Sequence, residues 1–224
     1  MTGTRTRVRR TLLLPGFLDG RDSPGVAALD RDLRGAGLSC DVLAATDPAD
    51  VAVSRQLARV AAALADGRPT ALVGHCYGAL LACLAAARHP SVTHVVAIMP
   101  TRSFIWPDAY DPDRDTWRGG ARRFEGGDGD PVDVPYAVVE DALRYDLPAV
   151  LRELRQPVLF VAGLRDEAVP AASVRALFAE CGSPGAEYRE LDVQHDYRDH
   201  PDQIATVDAA VLEWLGRVSP GAGR

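Results

Sequence analysis

Six short apolar runs alternate with stretches whose apolar residues have helical spacing, and this alternation constrains the fold most. Near-continuous apolar runs are typical of strands buried on both faces, and parallel strands need a crossover connection, usually a helix. The pattern therefore predicts an α/β fold with a mostly parallel, twisted sheet and helices on both of its faces. The predicted strands are residues 9–14, 39–44, 70–74, 92–99, 157–162 and 187–191.

The predicted helices carry recognisable start signals. Ser23-Pro24 reads as an N-cap followed by proline at the first helical position, and that helix should stop near residues 35–37. Asp47-Pro48 repeats the signal ahead of a second apolar pattern with period 3.6. Further helices are predicted after the turn at residues 75–78, and over residues 136–145, 171–180 and 201–215.

Length and composition predict one domain over residues 1–224. The net charge of −6 argues against a nucleic-acid partner, which usually meets a basic patch. No apolar run is long enough to span a membrane, and the N-terminal arginines precede no apolar segment typical of a signal peptide. The four cysteines show no CxxC spacing, which argues against a metal site or a disulfide framework. Without a recognisable secretion signal, we expect free thiols and a cytoplasmic location.

Residues 100–156 interrupt the alternation with clusters of Asp, Pro, Gly and Arg. An excursion of this length between strands is uncommon without a role. It contains Trp106 and Trp117, two of the three tryptophans. We predict that residues 101–155 form a lid or cap insertion over the functional site.

Residues 74–78, Gly-His-Cys-Tyr-Gly, join a predicted strand to a predicted helix in the form G-x-nucleophile-x-G. A turn this tight strains the backbone of its middle residue and requires small flanking residues. The Cys76 thiol then projects above the sheet edge, and the N–H of Tyr77 faces a developing oxyanion. The pattern predicts a nucleophile elbow, and the alternative is a buried structural cysteine, the role we predict for Cys83.

With this elbow, residues 16–215 resemble the α/β-hydrolase family. The resemblance implies that Asp166, in the motif G-x-x-D-x-x-V-P after a buried strand, is the acid of a catalytic triad, with Glu167 as the near alternative. It implies that His195, between the last strand and the last helix, is the general base. The order nucleophile, acid, base along the chain is that of this fold.

Cysteine stands at the elbow where most of these enzymes have serine. The sequence is similar in this respect to dienelactone hydrolases and polyhydroxyalkanoate synthases. A thiolate forms more easily than a serine alkoxide and is a better intrinsic nucleophile, so the triad remains competent. The sequence leaves open whether Cys76 is native or replaces a serine.

The segment after the first strand, Leu-Pro-Gly-Phe-Leu-Asp-Gly at residues 14–20, resembles the family's oxyanion loop, with Pro15 where histidine is common. The resemblance implies that Phe17 supplies the second backbone N–H of the oxyanion hole. Substrate contacts are predicted for Leu18, Trp106 and Trp117, with packing inside the lid as the alternative for each tryptophan. The charges of Asp19 and Arg21, and those of Arg102, Arg118, Arg122 and Arg123, are expected to face solvent. The alternative is contact with substrate, which for these four lid arginines would be recognition of a carboxylate or phosphopantetheine-like group.

These features predict an esterase, thioesterase or lactone hydrolase that works through an acyl-Cys intermediate and needs no cofactor. The expected partner is a small-molecule acyl substrate, free or carrier-bound. A non-hydrolytic acyltransferase or cyclase shares the acylation step and differs only in the acceptor. An inactive binding scaffold is disfavoured because all three triad positions carry competent residues.

Overall fold

The computed structural model describes residues 8–45, 48–102, 117–126 and 129–218. Six parallel strands of this part of the chain form one sheet, and two further strands form a separate antiparallel pair. The strands are β1 (Arg10–Leu14), β2 (Ser39–Val42), β3 (Thr70–His75), β4 (Val92–Ile98), β5 (Ala121–Glu125), β6 (Pro131–Pro135), β7 (Val158–Gly163) and β8 (Ala186–Leu191).

The order of the main sheet is β2-β1-β3-β4-β7-β8. All residues of β1, β3 and β7 are buried, which explains why these strands read as continuous apolar runs. Edge strand β2 alternates exposed and buried residues instead. The predicted parallel sheet is thus confirmed, and its strand boundaries differ from the predicted ones by one or two residues.

Helices cover both faces of the sheet. They are α1 (Pro24–Gly35), α2 (Val53–Ala63), α3 (Tyr77–Ala86), α4 (Ala137–Ala142), α5 (Leu147–Glu153), α6 (Ala171–Glu180) and α7 (Pro201–Val218). Helix α1 packs against α7, whereas α2, α3, α5 and α6 contact one another in succession. None of the helices in the described ranges is long and apolar enough to cross a membrane.

Two details of the predicted helices are wrong. A separate 3₁₀ turn, Pro48–Val51, precedes α2, so the second helix begins at Val53 rather than directly after the Asp47-Pro48 signal. Asp47 itself lies outside the described residues. The helix predicted over residues 136–145 is only six residues long, and a second helix, α5, follows it with Asp146 as a true N-cap.

The interrupting segment contains a β-hairpin that was not predicted from the sequence. Strands β5 and β6 pair antiparallel, and β6 packs against the 3₁₀ turn at residues 48–51. Val134 of β6 belongs to a second hydrophobic cluster, separate from the main core, whose other buried members are Val51, Trp117, Val138 and Val139. Helix α5 instead contributes Leu147 and Leu151 to the main core. The limits of the lid, residues 101–155, stay a prediction.

The order of the strands brings two loops together. From β1 the chain goes to edge strand β2 and then crosses to β3 on the other side of β1. The connections that leave β1 and β3 therefore diverge, and a crevice forms where their carboxyl ends adjoin. Residues 15–20 follow β1 and residues 76–78 follow β3, so the fold places both predicted site segments at this crevice.

Candidate active site

Cys76 occupies a strained position between β3 and α3. Its backbone angles are φ 51° and ψ −112°, and positive φ is uncommon for a residue other than glycine. Its N–H donates to the carbonyl of Ile98 over 2.8 Å, and its own carbonyl accepts from Ala79. These bonds hold the turn, and they leave the Cys76 side chain partly exposed at the carboxyl end of the sheet.

The two glycines that flank Cys76 are required by close packing. A Cβ atom at Gly74 would lie 2.3 Å from the carbonyl oxygen of Gly78. A Cβ atom at Gly78 would lie 1.9 Å from the carbonyl oxygen of Leu14 and 2.5 Å from that of Pro15. The elbow therefore sits directly against the end of β1, where the predicted oxyanion loop begins.

Asp166 lies after β7, and its carboxylate is fully buried. One oxygen accepts hydrogen bonds from the backbone N–H groups of Ala168 and Val169, at 2.9 and 2.6 Å. The other oxygen is 2.8 Å from Nδ1 of His195. Glu167, the alternative acid, is exposed, so the structure brings Asp166 and not Glu167 to the histidine.

His195 connects the acid to the cysteine. Burial of its ring lowers the pKa, but hydrogen bonds with Asp166 and Cys76 outweigh burial and raise the pKa of His195 to about 10. The loop that carries His195 is held by its neighbour, because the N–H of Gln194 donates to the side chain of Gln203 in α7. Cys76, His195 and Asp166 thus form one hydrogen-bonded chain across three loops.

Tyr77 is the first residue of α3, and the N–H groups at the start of a helix point beyond its end. Its buried ring is anchored by a hydrogen bond from the hydroxyl to the carbonyl of Val51. Phe17 lies across the crevice, and its ring meets the Tyr77 ring edge to face at 5.9 Å. Tyr77 thus follows Cys76 directly and Phe17 packs against Tyr77, and the oxyanion hole formed by their N–H groups stays a prediction.

Asp19 does not face solvent, so that expectation is wrong for this residue. Its side chain is 7% exposed and forms an ion pair with Arg198, which lies three residues after His195. The second charge of the loop, Arg21, donates to the carbonyl of Val42 over 2.9 Å. Arg198 was not predicted as a site residue, because nothing in the charged run at residues 196–202 distinguishes it from a solvated arginine.

His75 lies under the site. Its ring is 5.1 Å from that of His195 and meets the Tyr197 ring edge to face at 5.2 Å. Burial, together with the neighbouring charge of His195, lowers the pKa of His75 well below its usual value, although the His195 main chain opposes this shift. His75 is therefore a neutral, buried ring that supports His195.

The other predicted residues occupy different positions. Leu18 is half-buried with a φ of 60° and packs against the second hydrophobic cluster. Trp117 is buried within that cluster, and its indole N–H donates to the carbonyl of Val134 over 2.8 Å. This favours lid packing for Trp117, and its contact with substrate stays a prediction. Trp106 lies outside the described residues.

Three of the lid arginines make defined contacts. Arg123 forms an exposed ion pair with Asp133 across the hairpin, whereas the guanidinium of Arg122 lies over the rings of Trp117 and Phe124. Arg118 donates to the hydroxyl of Tyr136, and Arg102 is exposed. Because the Phe124 ring also meets Phe17 at 5.3 Å, the hairpin reaches the predicted oxyanion loop.

A family model described as alpha/beta hydrolase fold matches residues 12–137. A curated relative, the pimeloyl-[acyl-carrier protein] methyl ester esterase of Xanthomonas campestris pv. campestris, is 31% identical over 191 residues. That match covers 66% of this chain and 73% of the relative.

Several solved structures share the fold at low sequence identity. Est1E from Butyrivibrio proteoclasticus matches with a TM-score of 0.71 and 18% identity, over 96% of this chain and 90% of its own. The monoacylglycerol lipase of Paleococcus ferrophilus matches with a TM-score of 0.71 and 19% identity, over 94% and 95%. Alpha/beta hydrolase domain-containing protein 10 from mouse reaches a TM-score of 0.74 at 18% identity, over 94% and 90%.

Proposed function

Because the chain belongs to the α/β-hydrolase fold family and is an enzyme of the esterase type, we propose that it hydrolyses an ester, thioester or lactone through an acyl intermediate on Cys76. The observation that carries this proposal is the hydrogen-bonded chain from Asp166 through His195 to Cys76. The chain ends at a partly exposed sulfur beside two candidate oxyanion donors, which is the arrangement that acyl transfer needs.

In the proposed acylation step, the Cys76 thiolate attacks the substrate carbonyl carbon while His195 is an imidazolium. The C=O electron pair moves onto oxygen, and the N–H groups of Phe17 and Tyr77 stabilise that oxyanion. When the tetrahedral intermediate collapses, the bond to the leaving alcohol or thiol breaks. His195 gives its proton to this leaving group and becomes neutral.

Deacylation reverses these roles. Neutral His195 takes a proton from water, and the resulting hydroxide attacks the thioester carbon of acyl-Cys76. The second tetrahedral intermediate expels the thiolate and releases the acid, and the imidazolium is restored. Asp166 does not lose its charge in either step, because its role is to hold Nδ1–H of His195 and stabilise the imidazolium.

We propose a small acyl ester as substrate, free or attached to a carrier. The support is the 31% identity to an esterase named for a pimeloyl-[acyl-carrier protein] methyl ester. Aromatic side chains near Cys76 suit an apolar acyl chain, since Phe17 packs between Tyr77 and Phe124.

Transfer of the acyl group to an acceptor other than water is the second candidate. It is favoured by the apolar contact between the hairpin and Phe17, because aromatic rings packed beside the site limit the access of water to the acyl enzyme. The two candidates share the acylation step and differ in the molecule that accepts the acyl group.

The test is turnover of p-nitrophenyl esters and acyl thioesters of several chain lengths, with the intact mass recorded beside it. We expect the wild type to hydrolyse these substrates. The kcat of the Cys76→Ala variant should be lower by at least about 10³-fold. Cys181→Ala is the matched control, because Cys181 is also a partly exposed free cysteine and should keep wild-type turnover.

The other outcomes are equally informative. A stable adduct on Cys76 without turnover would favour transfer to a second acceptor. Turnover that persists in Cys76→Ala would contradict the acyl-Cys mechanism, and no turnover or adduct from the wild type would contradict both candidates.

A further inference from the structure

We propose that the buried ion pair between Asp19 and Arg198 is a positioning clamp. It fixes the relative position of the oxyanion loop and the loop that carries His195. The inference rests on the proposed function, because it assigns the pair a role in placing two parts of that catalytic site. Neither residue touches the reacting atoms. Both act through neighbours, Asp19 through Phe17 and Arg198 through His195.

Asp19 closes the turn that carries Phe17. Its N–H donates to the carbonyl of Gly16 over 3.2 Å, so residues 16–19 form a single turn. A Cβ atom at Gly16 would lie 2.4 Å from an Asp19 carboxylate oxygen and 3.2 Å from Nδ1 of His75. The carboxylate therefore folds back over Gly16, toward the residue that precedes Cys76.

Arg198 reaches this carboxylate from the other side of the site. It lies in a short 3₁₀ turn, Tyr197–Asp199, between His195 and helix α7. A Cβ atom at Gly25, in the first turn of α1, would lie 2.8 Å from both Cβ and Cγ of Arg198. The stem of the arginine is therefore seated against α1, and its guanidinium has a defined approach to Asp19.

Burial distinguishes this pair from the ion pairs at the surface of the molecule. The Asp19 and Arg198 side chains are 7% and 18% exposed, whereas those of Arg123 and Asp133 on the hairpin are 70% and 55% exposed. Exposed pairs contribute little to stability, and burying two charges costs desolvation energy that often cancels their attraction. A net gain in the stability of the fold therefore does not explain why this pair is buried. Its effect on the relative position of the two loops does.

The oxyanion loop needs such a restraint more than the elbow does. The N–H of Tyr77 is placed by helix α3, but Phe17 belongs to no helix or strand. Within the described residues, Arg198 is the only cation that forms an ion pair with Asp19. A loop displaced by about 1 Å can cost about 10²-fold in rate, so small movements of Phe17 matter.

The two members of the pair differ in their other ionic contacts, so their single variants should differ in activity. Arg198 also contacts Asp196 at 3.2 Å, so it keeps one acidic partner when Asp19 is neutralised. Asp19 has no comparable second cation in the part of the chain that the structure describes, so Arg198→Gln leaves a buried, unpaired negative charge beside the oxyanion loop. Arg198→Gln should therefore be more harmful than Asp19→Asn, and the double variant should recover part of the loss.

The experiment compares Arg198→Gln, Asp19→Asn and their double variant by kcat, KM and the inhibition constant of a trifluoromethyl ketone with the same acyl chain. For Arg198→Gln we expect kcat to fall about 10- to 100-fold while KM changes little. The inhibition constant should rise in parallel with the loss of kcat, because the ketone adduct also places an oxyanion in the hole. A merely structural role would not weaken this analogue selectively.

Arg10→Gln is the matched control. The Arg10 side chain is 10% exposed and bonds Asp41 and Asp66 at the opposite end of β1. We expect it to lower the Tm but to leave kcat and the inhibition constant unchanged. The clamp is overturned if Arg198→Gln matches Arg10→Gln in kcat, or if the double variant is as impaired as the two single losses multiplied.

A substrate-independent readout separates this proposal from the proposed function. If the wild type hydrolyses no ester, the proposed function fails, and the rate of Cys76 alkylation by iodoacetamide in the Cys181→Ala background decides the clamp. An altered pH profile of alkylation in Arg198→Gln, with Arg10→Gln unchanged, supports it. Identical profiles overturn it.

Discussion

At the scale of single residues, several residues of the site have a backbone conformation, a burial or a pKa that is unusual for their type, and the surrounding structure imposes it. Cys76 adopts a positive φ that its own side chain disfavours, and strain of this kind costs on the order of 1–3 kcal/mol. The fully buried side chain of Asp166 has its hydrogen-bonding capacity satisfied, because it accepts two backbone N–H bonds and one from His195. The protonation of His195 depends on these neighbours.

The dependence of His195 on Asp166 can be measured directly. Hydrogen bonding to Asp166 and Cys76 raises the pKa of His195 to about 10 against the opposing effect of burial. In Asp166→Asn, the pKa of His195 should therefore fall by more than about one unit, toward its usual range. NMR titration of the imidazole resonances checks this. His94, whose pKa burial alone lowers to about 4, should not move in the same spectra.

The raised pKa of His195 also makes the stability of the folded protein depend on pH. Because the folded-state pKa of His195 is raised above 6.5, its stabilising contribution is fully present below about pH 6.5 and is lost as pH rises through about 10. The difference in urea midpoint between wild type and Asp166→Asn should therefore shrink across this window. An unchanged difference would show that Asp166 stabilises the fold independently of His195.

At the scale of elements, the end of β1 and the start of α3 are in direct contact. Gly78 is in the first turn of α3, and its missing side chain lets the helix pack on the carbonyl groups of Leu14 and Pro15. This contact sets the distance from the N–H of Tyr77 to the loop that carries Phe17. A single glycine thus couples packing between two elements to the geometry of the candidate oxyanion hole.

Gly78→Ala should disrupt both stability and activity. The new Cβ would meet main-chain atoms, which cannot rotate away, so we expect destabilisation of about 2–4 kcal/mol and a kcat loss beyond that explained by unfolding. Urea denaturation and ester turnover measure the two effects. Gly216→Ala is the control, because this exposed position in α7 has open space and alanine should stabilise the helix by up to about 1 kcal/mol. Equal stability of both variants would refute the packing argument.

At the scale of the whole molecule, the layer formed by α1 and α7 covers the sheet beside the site. Asp208 of α7 is buried in this layer at 2% exposure, and neither carboxylate oxygen has a hydrogen-bond partner within the described part of the chain. Burial, reinforced by Asp32 and opposed by Arg31, raises the pKa of Asp208 to about 7. An acid of this kind destabilises the fold when it ionises.

Asp208→Asn should therefore stabilise the protein in a pH-dependent manner. The unfolded chain ionises this group near pH 3.8 and the folded chain only near pH 7, so stability is lost as pH rises between these values. At pH 8 we expect the free energy of unfolding of the variant to exceed that of the wild type by about 1–2 kcal/mol, and each kcal/mol should raise the Tm by about 2–4 °C. Near pH 4 the two proteins should be almost equally stable. Thermal denaturation at both pH values tests this. Asp202→Asn, an exposed acid on the same helix, should show no such gain.

The amino-acid sequence by itself determined the parallel sheet, most helix positions and the candidate Cys76, because each depends on local patterns, and the family resemblance then implied Asp166 and His195. Apolar runs, caps and the glycine-flanked turn act over fewer than about ten residues, and chain order then ranks the triad partners. The β5–β6 hairpin was missed because β5 is mostly charged and β6 begins and ends with proline, although Val132, Val134 and the glycines at 126 and 129 carried a weak signal. Only the tertiary structure decided that Asp19 is buried against Arg198. These residues are 179 positions apart, and whether a charge faces solvent or a partner depends on packing that no local pattern encodes.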